Sequence, residues 1–225
     1  MKYYAIIVAG GKGNRMNQAL AKQFLELDGK PILMHTIEAF HKCVLNPEII
    51  LVLHADQHQF WDELCGFHHF TIPHRVIRGG QERFDSVKNG LEVVSEQGVV
   101  AVHDAVRPLV STALIQASYE MALQKGNAIA AIQPVDSVRM KKDGRDSAAL
   151  NRDELFLIQT PQTFLTEQLK EAYLQPYRNE FTDDASVAER AGFSIHLLTG
   201  ERSNIKITYA QDLELASFLL KNKGL

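Results

Sequence analysis

The chain has 225 residues, 45% hydrophobic and 23% charged, near the average for a soluble globular protein. At that length roughly 70–75% of the unfolded surface can be buried, so a single domain over 1–225 is expected. A formal net charge of -3 excludes the dominant positive field that general nucleic-acid or membrane binding needs. Two cysteines, Cys43 and Cys65, are too few for a disulfide scaffold and lack metal-ligand spacing. No apolar run nears the ~20 residues of a membrane span, and no signal peptide precedes Tyr4, so a cytoplasmic protein is expected.

The apolar run Tyr4–Val8 reads as a buried strand that opens into Ala9-Gly10-Gly11-Lys12-Gly13-Asn14-Arg15-Met16. Closely spaced glycines let a backbone approach a ligand, and Lys12, Arg15 and Lys22 put cations around the same turn, as a polyphosphate site requires. The third glycine of a dinucleotide fingerprint is missing, and no Walker A string occurs, which disfavours a dehydrogenase and a P-loop enzyme. Pro31 can open a helix carrying Ile32, Leu33, Ile37 and Phe40, and Ile49–Leu53 reads as a second buried strand. A helix over Gln57–Cys65, a strand ending at Val76-Ile77, a helix over Ser86–Val94 and a strand at Val99–Val102 follow. Ser111 is an N-cap candidate for a helix that runs to Lys125 and stops at Gly126, ahead of a strand at Ala128–Ile132.

Between Val135 and Phe156 the rhythm breaks. Composition there suits a solvated loop, while Asp143-Gly144 makes a hairpin the other candidate. A helix near Asp183–Ala191, strands at Ser194–Leu198 and Ile205–Ile207, and a helix over Gln211–Leu220 complete the pattern. Continuous apolar strands alternating with helices imply a doubly wound, Rossmann-like α/β fold with a mainly parallel sheet.

Ligands of such sheets bind beyond the carboxyl ends of the strands. Two segments stand there: Arg78-Gly79-Gly80-Gln81-Glu82-Arg83 with Ser86 beyond it, and His103-Asp104-Ala105-Val106-Arg107-Pro108. Asp104 suits a metal bound to phosphates and Arg107 a bidentate phosphate fork, although capping and mutual pairing would explain them too. Pro161 holds Thr160 extended and aims its hydroxyl. Alternation along Ile205-Lys206-Ile207 puts Lys206 on the outer face, a solvent-facing position. His54 and His58, four apart, lack a third zinc ligand and read as surface histidines; Asp183 and Asp184 read as helix caps.

These segments, with Lys22-Gln23-Phe24, Gln159-Thr160-Pro161-Gln162, Thr182-Asp183-Asp184-Ala185-Ser186 and Asn204-Ile205-Lys206, occur in one order along almost the whole chain. Together they resemble the 2-C-methyl-D-erythritol 4-phosphate cytidylyltransferases. The related ribitol-5-phosphate cytidylyltransferases share several of them, but the Asp183–Ser186 string is closer to the methylerythritol branch.

The resemblance implies transfer of CMP from CTP to 2-C-methyl-D-erythritol 4-phosphate in non-mevalonate isoprenoid synthesis. It implies Arg15, Lys22 and Lys206 as catalytic residues, with Ala9, Gly10, Gly11, Lys12, Gly13, Gly80, Gln81 and Ser86 at the nucleotide. Asp104, Arg107, Arg152, Thr160 and Lys206 would bind the acceptor, and Asp104 would also hold Mg2+. It further implies a homodimer joined through a projecting β-hairpin arm over residues 135–157. A nucleotide-binding protein without catalysis is the other class of reading, expected to have lost Arg15, Lys22 or Lys206; all three are present. Three positions depart from the family pattern. Val8-Ala9-Gly10 replaces a proline and two alanines, Gln81 stands where an acid is common, and Val138 replaces an arm threonine whose hydroxyl enters the partner's site.

Overall fold

The computed structural model describes residues 1–9, 20–142, 144 and 146–222. In chain order the elements are β1 (Lys2–Val8), a 3-10 turn at Lys22–Phe24, β2 (Glu26–Leu27), β3 (Lys30–Pro31), α1 (Ile32–His41), β4 (Glu48–Leu53) and a 3-10 turn at Ala55–Gln57. Next come α2 (His58–Phe67), β5 (Arg75–Arg78), α3 (Arg83–Glu92), β6 (Gly98–Asp104), α4 (Thr112–Lys125) and β7 (Asn127–Ile132). The last third holds β8 (Arg139–Lys141), β9 (Ser147–Ala149), a 3-10 turn at Arg152–Glu154, β10 (Leu157–Leu165), α5 (Thr166–Ala172), α6 (Asp184–Arg190), β11 (Leu197–Thr199) and α7 (Ala210–Lys221).

Seven strands form the central sheet in the order β11-β7-β10-β6-β1-β4-β5. β1 runs parallel to β4 and β6, β4 to β5, and β7 to β11, while β10 lies antiparallel between β6 and β7. The mainly parallel α/β architecture is as expected, with one antiparallel strand that the apolar pattern does not announce. Gln159-Thr160-Pro161-Gln162 lies inside β10, where polar residues and a proline break the strand signature. Proline is tolerated because the ladder to β7 shifts register between Ile158 and Gln162, the irregularity that accommodates a missing donor.

Alternation in the buried strands sorts side chains onto two cores. Ala5 and Ile7 of β1 join Leu33, Ile37, Trp61 and Tyr119 on one face. Tyr4 and Ile6 join Val87, Leu91, Phe164 and Leu169 on the other. A third cluster of Leu27, Ile32, Leu109, Ile207 and Ala216 seats α7. α4 begins and ends as expected: Ser111 Oγ accepts the Leu114 N–H at 3.0 Å, and Gly126 at φ 92° closes the helix in a backbone region that costs glycine little.

Three local expectations are corrected. α3 starts at Arg83, three residues early, because Glu82 and Asp85 form a capping box there. Ile205–Ile207 forms no strand; Ile207 instead donates its N–H to Val106 at 2.9 Å. The last sheet strand is Leu197–Thr199, shorter and later than read. β8 and β9 do pair as an antiparallel hairpin separate from the central sheet, so the break after Val135 is a projection and not a plain loop. No helix among the described residues is long and apolar enough to cross a membrane.

Candidate active site

The sheet order reverses at β1, the topological switch point beside which open α/β sheets bind ligands. Val8 pairs in register with Asp104, Ala9 donates its N–H to Val52 at 2.9 Å, and Ala105 donates to Val8 at 3.1 Å. Ala9, the residue before the glycine loop, therefore stands beside the end of β6 that carries Asp104. Gly10, Gly11, Lys12, Gly13 and Arg15 lie outside the described residues. At the loop's far side Gln23, buried, donates to the Ala9 carbonyl at 3.0 Å and to Gln57 at 2.9 Å. That bond ties the turn carrying Lys22 to the end of β1.

Asp104 is the centre of the cluster. Its Oδ2 meets Lys206 Nζ at 3.0 Å and Arg107 Nε at 3.3 Å, and its Oδ1 faces Arg83 Nε at 3.8 Å. Burial opposes ionisation, but Lys206, Arg83 and Arg107 outweigh it and hold the carboxyl well below the usual carboxylate range. Thr160 Oγ1 accepts the Asp104 N–H at 3.0 Å. Arg107 donates a second bond to the Asn204 carbonyl at 2.8 Å, and Asn204 donates to the Thr160 carbonyl at 2.8 Å. Three chain segments are thereby stitched together. Lys206 reaches Asp104 because buried Ile207 anchors the neighbouring backbone; its side chain is exposed, as alternation implied, and borders the site at the same time.

His103 supports the same turn. Its Nε2 lies 3.1 Å from the Arg107 carbonyl, an oxygen that only accepts, so Nε2 carries the proton. Nδ1 is buried without a partner, and burial pushes the imidazole down to about 4.

On the other side of β1, Gly79, Gly80 and Gln81 line a cleft of about 440 Å3 with His54, Ala55, Arg78 and Asn89. Gly80 donates its N–H to Ser86 Oγ at 3.1 Å, and Ser86 donates to the Glu82 carbonyl at 3.1 Å. A Cβ on Gly80 would stand 2.1 Å from Asp85 Cβ, so only glycine lets this loop close on α3.

Arg152 is placed apart: in the 3-10 turn at Arg152–Glu154 it donates to the Val135 carbonyl at 2.7 Å, at the base of the arm. Arg83, Asn204 and Gln159 stand inside the motifs above but carry no signal of their own in the sequence. Asp183 does cap α6, accepting the Ser186 N–H at 2.9 Å. Asp184 is not a second cap but a buried partner of Arg83.

Among the described residues no three His, Cys, Asp or Glu side chains gather as a metal cage. Asp104 supplies one carboxylate, a donor set that fits an ion held mostly by substrate phosphates and water, the manner in which Mg2+ is usually bound.

The comparisons agree with this geometry. The family model described as 2-C-methyl-D-erythritol 4-phosphate cytidylyltransferase matches residues 3–222. A Bacteroides thetaiotaomicron protein of that name is 50% identical over 98% of this chain and 100% of its own length. The crystal structure of 4-diphosphocytidyl-2C-methyl-D-erythritol synthase from Anaerococcus prevotii superposes with a TM-score of 0.85 at 27% identity, covering 98% of this chain and 96% of that one. The 2-C-methyl-D-erythritol 4-phosphate cytidylyltransferase of Thermus thermophilus gives 0.78 at 30% identity, covering 98% and 100%. With nearly its whole length matched in sequence and in fold, the chain belongs to the 2-C-methyl-D-erythritol 4-phosphate cytidylyltransferase family.

Proposed function

We propose that this chain transfers CMP from CTP to 2-C-methyl-D-erythritol 4-phosphate, releasing pyrophosphate and forming the CDP-sugar alcohol of the non-mevalonate isoprenoid pathway. The observation that carries the reading is the convergence of Lys206 and Arg107 on Asp104 Oδ2, one strand away from the mouth of the glycine loop. An acceptor phosphate oxygen attacks the α-phosphorus of CTP; the new P–O bond forms as the bond to the β-phosphate oxygen breaks, and pyrophosphate leaves with that electron pair. Negative charge grows on the α-phosphate and the leaving group, so preorganised cations lower the barrier.

In this assignment Arg15 and Lys22 hold the triphosphate, and Ala9, Gly10, Gly11, Lys12 and Gly13 cradle it. Gly80, Gln81 and Ser86 bind base and ribose. Arg107, Thr160 and Lys206 take the acceptor phosphate beside Asp104, with Lys206 near the α-phosphate. Asp104 would help to hold Mg2+ alongside the substrate phosphates, and the ion would supply further charge neutralisation there.

The arm over 135–157 is assigned to a homodimer. Val135, Met140, Phe156 and Leu157 on or beside it are exposed apolar side chains, the surface a second copy would cover. Arg152, at the arm's base, would reach the acceptor across that interface, while Val138 offers no hydroxyl there. The protein is assigned to the cytoplasm.

Pyrophosphate release from CTP and Mg2+ with 2-C-methyl-D-erythritol 4-phosphate tests the activity, with ribitol 5-phosphate in parallel. Release with the first acceptor alone is expected. Release with ribitol 5-phosphate in its place would move the chain to the ribitol branch, and release with neither would leave a nucleotide-binding protein without catalysis.

A further inference from the structure

We infer that Arg83 is a positioning residue that fixes the second oxygen of Asp104 and is itself held from behind by Asp184 and Tyr173; the inference rests on the cytidylyl-transfer reading above. Arg83 opens α3, one residue beyond the Gly79–Glu82 loop. Its Nη1 and Nη2 donate in parallel to the two carboxylate oxygens of Asp184, at 3.0 and 2.7 Å. A two-pronged bond of this kind sets the plane of a guanidinium as well as its place. Asp184 is fully buried and receives a third bond from the Tyr173 hydroxyl at 2.6 Å.

With both Nη groups committed, the remaining nitrogen, Nε, is turned toward Asp104 Oδ1 at 3.8 Å. That separation is too long for a hydrogen bond and short enough for a charge interaction with a carboxylate that is itself mostly buried. The carboxylate of Asp104 is thus gripped on both sides, Oδ2 by Lys206 and Arg107 and Oδ1 by Arg83. Rotation about its Cβ–Cγ bond would forfeit one grip or the other. The same guanidinium links the nucleotide loop to the carboxylate on the acceptor side. A lysine at position 83 would keep the charge but lose the fork, because an ammonium has no fixed plane.

The test is a double-mutant cycle in the full-length protein, reading kcat and both KM values for pyrophosphate release with 2-C-methyl-D-erythritol 4-phosphate. Arg83→Lys is expected to lower kcat about tenfold while KM for CTP changes by less than about threefold, since the residue orients a group without binding nucleotide. Asp104→Asn is expected to lower kcat further, and the double variant to be no slower than Asp104→Asn alone. Multiplicative losses would overturn the inference, because Arg83 would then act independently of Asp104. Tyr173→Phe removes the support without removing a charge, so it carries the test even where Arg83→Lys fails to fold. It is expected to lower kcat by a few fold with the melting temperature nearly kept, and an unchanged kcat would overturn the Asp184 tether. An inactive wild type would sink the cytidylyl-transfer reading and this inference with it; an active wild type with multiplicative losses would sink this inference alone.

Discussion

Thr160 Oγ1 accepts the backbone N–H of Asp104 at 3.0 Å across 56 residues of chain. The bond exists because β10 lies antiparallel beside β6 and shifts register against β7 at this point. The Asp104 amide is buried with the rest of the strand end, so the hydroxyl satisfies a donor that would otherwise be stranded. Thr160→Val keeps the shape and removes the acceptor. The expected cost is about 1–3 kcal/mol, seen in calorimetry as a fall of roughly 2–4 °C per kcal/mol for a chain of this size. Turnover should fall with it, and Thr160→Ser should restore most of both.

Arg15 and Lys22 are assigned to the charge that builds on the triphosphate. Arg15→Ala and Lys22→Ala are each expected to lower kcat by on the order of 10²-fold or more, the usual consequence of losing a preorganised charge stabiliser. Steady-state kinetics of pyrophosphate release check this. A folded variant with unchanged kcat would take its residue out of the transition state.

Gly80→Ala forces a methyl group to within 2.1 Å of Asp85 Cβ, next to the capping box that starts α3. The loop and the helix start must separate, at a cost of about 1–3 kcal/mol for an overpacked position. The expected result is a lower melting temperature together with a raised KM for CTP. Equal KM values for variant and wild type would show that this loop does not touch nucleotide.

Stability should depend on pH through two buried imidazoles. Burial lowers His35, against the hydrogen bond to the Leu27 carbonyl, and burial pushes His103 down to about 4. A histidine depressed in the folded state is neutral there while the unfolded chain takes up a proton. Its contribution is therefore complete above the unfolded value near 6.5 and is lost as pH falls toward the folded value. For His103 that loss approaches ~3 kcal/mol between pH 7 and pH 4. Urea titrations across this range should show it, and His103→Gln and His35→Gln should each flatten the curve.

Most of the fold and half of the candidate site were legible along the chain. Apolar runs at Tyr4–Val8, Ile49–Leu53 and Val99–Val102 mark strands buried on both faces, because only such strands dispense with a polar side. Ser111 and Gly126 bracket α4 through local hydrogen bonding and local backbone freedom. Asp104 and Arg107 announced themselves by following a strand. β10 did not, since Gln159, Thr160, Pro161 and Gln162 trade strand propensity for positioned polar groups. Arg83 and Asp184 stayed silent for a different reason: 101 residues separate them, and neither periodicity nor capping signals reach that far.

By itself, then, the sequence determined the alternation of strands and helices, the two glycine loops at strand ends, and the order of motifs that carries the family resemblance. Each of these is written in neighbours within a turn or two. Only the tertiary structure decided that Lys206, exposed as alternation implied, also reaches Asp104, because buried Ile207 and its bond to Val106 set that segment's course. Only the tertiary fold brought the starts of α3 and α6 close enough for Asp184 to meet Arg83. Burial of Asp104, Arg107 and Asp184 made each of these charges require a partner, and that requirement acts through space.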